Sequence, residues 1–220
     1  MTFSKDIKEG TKKSHSAAEN TSFVKNFLGG VVKEESYRKL VANFYYVYRT
    51  LEERMDTFKM DPVIGPLQEL TVLNRTKPLE KDLKYFYGDS WFLKIEPSDA
   101  CQRYVDRILD CDEELLVGHH YTRYLGDLSG GQILKTIAQK ALKLDKGLEF
   151  YNFDIKDKKE YKKKYRKILD GLPLTTSQQN AIIVEANYAF RLNMFMFDEL
   201  EGSATQGIWQ VFFNTMFNKR

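Results

Sequence analysis

Apolar residues recur at three- and four-residue intervals along almost the whole chain, and no stretch alternates as a half-buried strand would. The clearest stripe is Tyr37, Leu40, Val41, Phe44, Tyr48, Leu51, Met55 and Phe58, which predicts a helix over 36–59 with Ser36 as its N-cap. "DPVIGP" at 61–66 breaks the chain. Pro78 suits the first position of a helix carrying Leu79, Leu83, Phe86 and Tyr87, and Ser98 suits the cap of one carrying Tyr104, Val105, Ile108 and Leu109. A long helix is expected from about Glu113 to Leu142, with glycines in its middle. "DKGLEFYNF" reads as a loop and 156–170 as a strongly basic helix ended by "GLPLTT". Thr176 or Ser177 then opens a last helix to about Leu200. Without repeats or an internal linker, the pattern predicts one all-α domain over residues 1–220, a helical bundle.

Composition narrows the class. A chain of 220 residues, 42% hydrophobic and 14% aromatic, can fill a sizeable core. A net charge of +3 is too mild to call for nucleic acid. Cys101 and Cys111 form neither a zinc pattern nor a disulfide framework, which points to a reduced, intracellular setting. The N-terminal "MTFSKDIKEG" lacks an apolar leader core, and no run reaches the roughly 18 apolar residues of a membrane span. "GIWQVFFNTMF", interrupted by Gln210 and Asn214, is expected as a packed C-terminal helix. A soluble protein without a membrane anchor is the expectation.

Chemistry concentrates in "YLGDLSGGQILK" at 124–135. It contains LSGGQ, an ATPase signature, and "MFMFDE" at 194–199 imitates a Walker B strand. No glycine starts a GxxxxGK[ST] loop, however, and "MFMFDE" continues a helical period, so ATP hydrolysis is excluded. Gly126, Gly130 and Gly131 each cost about 1 kcal/mol relative to Ala inside a helix. Two explanations stand: a tight helix crossing in the core, or a bare face shared by Gly126, Gly130 and Ile133 that admits something flat to the backbone. Asp127 adjoins that face, with Arg123 at i−4 as a natural ion-pair partner. His119 and His120 are adjacent, point about 100° apart on a helix, and complete neither HExxH nor ExxH. His15 shares a helix face with Ile7, Thr11 and Ala18. It is either a surface or core residue, or a ligand oriented by Glu19 at i+4, with Lys8 and Lys12 along the same side. The helix "KDKKEYKKKYRK" is a solvated face or a surface for an anion or acidic protein, with Tyr161 and Tyr165 interleaved among Lys162 and Arg166. No RNA-module motif accompanies it.

"ELLVGHHYTRYLGDLSGGQILK" closely resembles the signature of haem oxygenases, "GTKKSHSAAEN" resembles their segment bearing the proximal ligand, and "EANYAFRLNMFMFDELE" resembles their last distal-pocket helix. The resemblance runs from about residue 4 to 202 and is nearest to the soluble cyanobacterial, algal or viral type. It implies an all-helical fold clamping haem b between a proximal N-terminal helix and a kinked, Gly-rich distal helix. His15 would ligate iron, with Glu19 behind it, and Gly126 and Gly130 would let the distal helix bend over the haem. Asp127 would organise the distal water network with Tyr48, Arg123 and Asn193. Lys8, Lys12, Tyr121, Lys162 and Arg166 would surround the propionates, and Phe190 and Phe197 would line the distal pocket. His120 stands where relatives are expected to carry a small residue, and the segment after Gly202 matches poorly. The implied reaction converts haem to biliverdin IXα, iron(II) and carbon monoxide, with O2 and electrons from an acidic donor such as ferredoxin. The cytoplasm or plastid stroma would be its compartment and a bilin reductase a downstream partner. A non-catalytic haem carrier of the same fold is the alternative. A thiaminase-like hydrolase would need a nucleophilic cysteine, and Cys101 and Cys111 lie outside every motif.

Overall fold

The computed structural model describes residues 2–201, so the helix expected around "GIWQVFFNTMF" lies outside the described residues. Within them the helical period is realised throughout, as α1 (Phe3–Glu19), α2 (Ser22–Leu28), α3 (Glu34–Thr57), α4 (Thr76–Tyr87), α5 (Asp99–Asp110), α6 (Leu116–His120), α7 (Gly126–Ala141), α8 (Lys158–Asp170) and α9 (Thr176–Glu201). No strand occurs among the described residues.

The centre is α3, whose expected stripe is buried from Tyr37 through Met55. It packs against α4, α5 and α9, while α9 also carries α1, α2 and α6. Helix ends depart from the sequence reading where tertiary partners replace local caps. α3 starts before Ser36, whose hydroxyl donates instead to the Leu200 carbonyl at 3.3 Å and ties α3 to the end of α9. Glu34 and Glu35 in its first turn favour the positive end of the helix dipole. α4 begins two residues before Pro78, and the α3 residue Glu52 caps it by accepting from Arg75 N at 2.5 Å and Thr76 N at 3.3 Å. α9 is capped by neither Thr176 nor Ser177. Thr175 and Gln178 form a reciprocal capping box, Gln178 N to Thr175 Oγ1 at 3.3 Å and Thr175 N to Gln178 Oε1 at 3.0 Å. Ser98 does cap α5, accepting from Cys101 N at 3.3 Å. Leu109 faces out, because Cys101, Tyr104 and Ile108 fill the α5 stripe.

Two elements had no clear sequence signal: the short α2, and a 3-10 helix over Gly65–Leu73. Buried Arg75 secures the latter, donating to the carbonyls of Leu73 at 2.7 Å, Val72 at 3.0 Å and Asn152 at 2.6 Å. "DKGLEFYNF" is a loop containing one 3-10 turn, Glu149–Tyr151, whose first two N–H groups are held by Asp82.

The expected long helix is continuous in path but not in pitch. Between α6 and α7 lies a π-helical turn, Tyr121–Leu125, wider than an α turn and so able to re-aim the side chains that follow. The tight crossing considered for Gly126 and Gly130 belongs to Gly118. A Cβ there would lie 2.9 Å from Ile182 O and 3.0 Å from Ala186 N, both backbone atoms of α9, whereas at Gly126 and Gly130 it would meet nothing within 4 Å. Gly118→Ala should therefore lose about 1–3 kcal/mol by overpacking. Gly126→Ala and Gly130→Ala should keep or gain up to about 1 kcal/mol from helix propensity. Urea unfolding of the three variants without added ligand reads the contrast.

Candidate functional site

Four side chains from four elements meet at the start of α7: Asp127 in its first turn, Arg123 in the π turn, Tyr48 from α3 and Asn193 from α9. Tyr48 donates its hydroxyl to Asp127 Oδ2, Arg123 Nε donates to Tyr48 Oη at 2.9 Å, and Arg123 Nη1 donates to Asn193 Oδ1. Arg123 Nη2 stands 3.7 Å from Asp127 Oδ1, too far for a direct hydrogen bond, so that oxygen remains able to accept from another donor. The guanidinium is buried, 4.4 Å from the centre of the Phe44 ring and 4.9 Å from that of Tyr48.

Burial disfavours the Arg123 charge, but Tyr48 and Asp127 more than offset this and keep the guanidinium firmly protonated. Burial also lifts the Asp127 carboxyl above its ordinary range, while Arg123 and the Tyr48 hydroxyl pull it back. Burial pushes the Tyr48 phenol far up, so it stays a donor. The result is a carboxylate held rigidly on one oxygen beside an open helix face. Gly126 is exposed there, and Ile133 on the same face is a 64% exposed aliphatic side chain.

α1 and α2 flank this run. The Tyr121 hydroxyl, in the π turn, is engaged by Thr11 of α1, and α2 packs against α7 further along. One turn beyond Thr11, the His15 side chain is 54% exposed, with Nδ1 3.5 Å from Glu19 Oε2. Its ring meets Phe190 edge-on at 5.7 Å. Nε2 has no partner among the described residues, so His15 presents a ring oriented through one nitrogen and free at the other. Phe190, expected to line the distal pocket, packs against the His15 ring. Phe197, two helical turns further along α9, stacks on Phe23 of α2 at 5.6 Å. Lys8, Lys12, Lys162 and Arg166 form no ion pair with a described residue. Arg166 lies close enough to Tyr121 to counter the rise that burial imposes on its phenol.

Comparison with known proteins decides the family. The family described as Heme oxygenase matches residues 1–199. The chain belongs to the haem oxygenase family. It is 51% identical to "Heme oxygenase" of Porphyra purpurea over 96% of this chain and 92% of that one. It is 50% identical to "Heme oxygenase 1" of Nostoc sp. over 97% of this chain and 92% of that one. The crystal structure of heme oxygenase-1 from the cyanobacterium Synechocystis in complex with heme superposes with a TM-score of 0.89 at 49% identity, covering 98% of this chain and all of that one. The chain is accordingly a haem oxygenase, with haem as both substrate and prosthetic group. The residues fit that group: a bare helix face for the ring, a half-exposed imidazole, and cations without counter-ions.

Two buried clusters around this haem oxygenase site were not anticipated from sequence. His119 Nε2 lies 2.9 Å from Glu185 Oε1, and Arg107 binds the same carboxylate at 2.8 and 2.6 Å. Burial pushes Glu185 up, but Arg107 and His119 outweigh it and hold the carboxyl down at about 2. His120 Nδ1 lies 2.7 Å from Tyr165 Oη, and its ring packs at 4.5 Å on Tyr124. His120, where a small residue was expected in relatives, is thus accommodated by α8, whose Tyr165 is withdrawn from the basic edge into the core. A second histidine next to a first gives no sequence signal for two such different partners.

Burial lowers His120 from 6.5 to about 3, so the folded protein keeps it neutral while the unfolded chain protonates it below about pH 6.5. Its contribution is full above that pH and is lost as pH falls toward 3. The stability difference between the wild type and His120→Phe should be flat above pH 7. Below pH 6.5 it should shrink by about 1.4 kcal/mol per pH unit in denaturant titrations.

Proposed function

We propose that haem sits between α1 and the π–α7 run, with His15 as its protein ligand and Asp127 as the residue that directs the oxidation. The observation that carries this reading is the Tyr48–Arg123–Asp127–Asn193 network beside two glycines whose Cβ positions are open. Bound haem supplies the group that activates O2 and is itself the molecule oxidised. Gly126 and Gly130 admit the ring to the helix backbone and leave room over one edge. Asp127 Oδ2 is immobilised by Tyr48, so Oδ1 holds a water in place and governs where a proton is delivered. Tyr48, Arg123 and Asn193 are positioning residues, and Glu19 fixes the His15 ring. Lys8, Lys12, Tyr121, Lys162 and Arg166 receive the two carboxylates by charge-assisted bonds and set the in-plane rotation, which selects the IXα product. Phe197 closes the apolar side through Phe23. Biliverdin, iron(II) and carbon monoxide leave, the first to a bilin reductase.

The experiment compares His15→Ala, Asp127→Ala and Asp127→Asn. His15→Ala should stay folded, change the ferric haem spectrum and lose most turnover. Asp127→Ala should bind haem nearly as tightly as the wild type but lower biliverdin yield by on the order of a hundredfold, with Asn milder because an amide still holds water. Haem binding without bilin in the wild type would mean a carrier. Normal bilin from Asp127→Ala would make the carboxylate structural.

The electron donor in this reading is an acidic ferredoxin-type protein docking where α1 and α8 pack together, with exposed Lys13 on one and Lys159 and Lys167 on the other. No helix among the described residues is long and apolar enough to cross a membrane. The cytoplasm or plastid stroma is the compartment proposed. Screening shortens from about 30 Å at 0.01 M to about 8 Å at 0.15 M salt. Ferredoxin-driven turnover should therefore fall over that range while turnover with a neutral chemical reductant holds. Equal salt dependence would argue against docking.

A further inference from the structure

Two polar atoms on α8 are buried and without a hydrogen-bond partner, Lys158 Nζ and Tyr161 Oη. At i and i+3 they share a helix face with Lys162 at i+4. The neighbouring acids are engaged elsewhere: Asp157 caps α8 through Lys159 N and Glu160 N, and Glu160 pairs with Lys163 at 2.7 Å. On the facing side, Lys135 of α7 reaches Asn152 Oδ1 at 2.6 Å, and Lys158 Nζ lies 5.8 Å from the Phe153 ring centre. The surroundings of Lys158 are electrostatically one-sided. Burial disfavours its charge, and then Lys162 and Lys135 repel it, with no compensating acid. The Tyr161 phenol is pushed up to about 12 by burial alone, so its hydroxyl is a donor. An ammonium offers three donors and a phenol one, and neither is used here. Buried donors without acceptors are costly and rare, and such a group calls for an acceptor from outside the chain.

We infer that Lys158 and Tyr161, rimmed by Lys162 and Lys135, form a seat for an oxyanion one helical turn before Lys162. Its ligand is a carboxylate or phosphate oxygen, the chemistry an all-donor, cationic cluster selects. Two sources share that chemistry, a free phosphate-type anion and a carboxylate arm of the tetrapyrrole. The second rests on the haem placement proposed above. On that placement, Lys158 gives the carboxylates an alternative station beside Lys162, available as the ring opens and its arms move.

The test uses the full chain, haem-free and haem-loaded, titrated with inorganic phosphate and followed by the NMR shifts of the lysine Cε groups. Lys158→Met and Tyr161→Phe run in parallel, with circular dichroism as the check on folding. The seat predicts saturable phosphate binding to the haem-free wild type, weakened on the order of tenfold in each variant. If the anion is free, haem leaves that binding unchanged. If the tetrapyrrole fills the seat, haem abolishes phosphate binding and Lys158→Met weakens haem on the order of tenfold. The dimethyl ester of haem, lacking free carboxylates, then binds wild type and variant alike. Non-saturable shifts in the wild type, or equal saturation in the wild type and both folded variants, would overturn the inference. Failure of haem to bind at all would refute the haem placement while leaving the phosphate result to decide the seat.

Discussion

A permanently charged guanidinium buried where three long helices meet is the constraint on which the rest depends. Arg123 cannot discharge itself by losing a proton, so its burial is tolerable only if acceptors surround it. Tyr48 and Asn193 accept its N–H groups and the Asp127 carboxylate balances its charge from 3.7 Å, each arriving on a different element. Removing one partner of such a set costs about 3–5 kcal/mol, which makes the relative placement of α3, α7 and α9 stiff at this point. The same bonds leave one Asp127 oxygen immobilised and the other available. Structural necessity and chemical readiness are thus two consequences of one buried charge.

The π turn and the glycines shape what that carboxylate faces. Widening the helix between α6 and α7 lets Tyr121 and Arg123 both be buried, one toward Thr11 of α1 and the other toward α3. Glycine then serves two opposed purposes in one helical run. Gly118 is small because α9 is pressed against it, and Gly126 is small because nothing of the protein is. Close packing on one side fixes the run, and bareness on the other leaves a surface flat enough for a planar ligand. The haem-complexed relative from Synechocystis, with its TM-score of 0.89, shows that this architecture accommodates one.

Around the centre, polar pairs substitute for local capping and hold neighbouring elements together. Glu52 caps α4 from α3 and also accepts from Tyr124 at 3.0 Å, and Asp82 holds the turn over Phe150. The carboxyl of Asp82 is lifted by burial to about 6 despite two backbone donors, a sign of how dry this part of the core is. His120 and Tyr165 join the α6–α7 run to α8, so the helix bearing Lys162 and Arg166 is referenced to the run bearing Arg123 and Asp127. The basic helix is therefore more than a solvated face: Tyr165 anchors it to His120 while Lys159, Lys163, Lys164 and Lys167 remain outside.

Helix content, the central stripe of α3 and the candidate quartet Tyr48, Arg123, Asp127 and Asn193 were legible in the sequence. Periodicity records which face of each helix avoids water, and a long specific motif carries its family's chemistry with it. The i, i+4 spacing of Arg123 and Asp127 survived into the fold because such pairing is set within one helix. Ends of helices were less legible: Ser36 lies inside α3 with its hydroxyl taken by the Leu200 carbonyl, and Thr175, one residue earlier, caps α9 in place of Thr176 and Ser177. Whether glycines meant contact or emptiness, which nitrogen of which histidine found a carboxylate or a phenol, and that Phe190 would sit against His15 were decided only in three dimensions. These depend on distances between residues separated by 45 to 175 positions, and no local pattern encodes them.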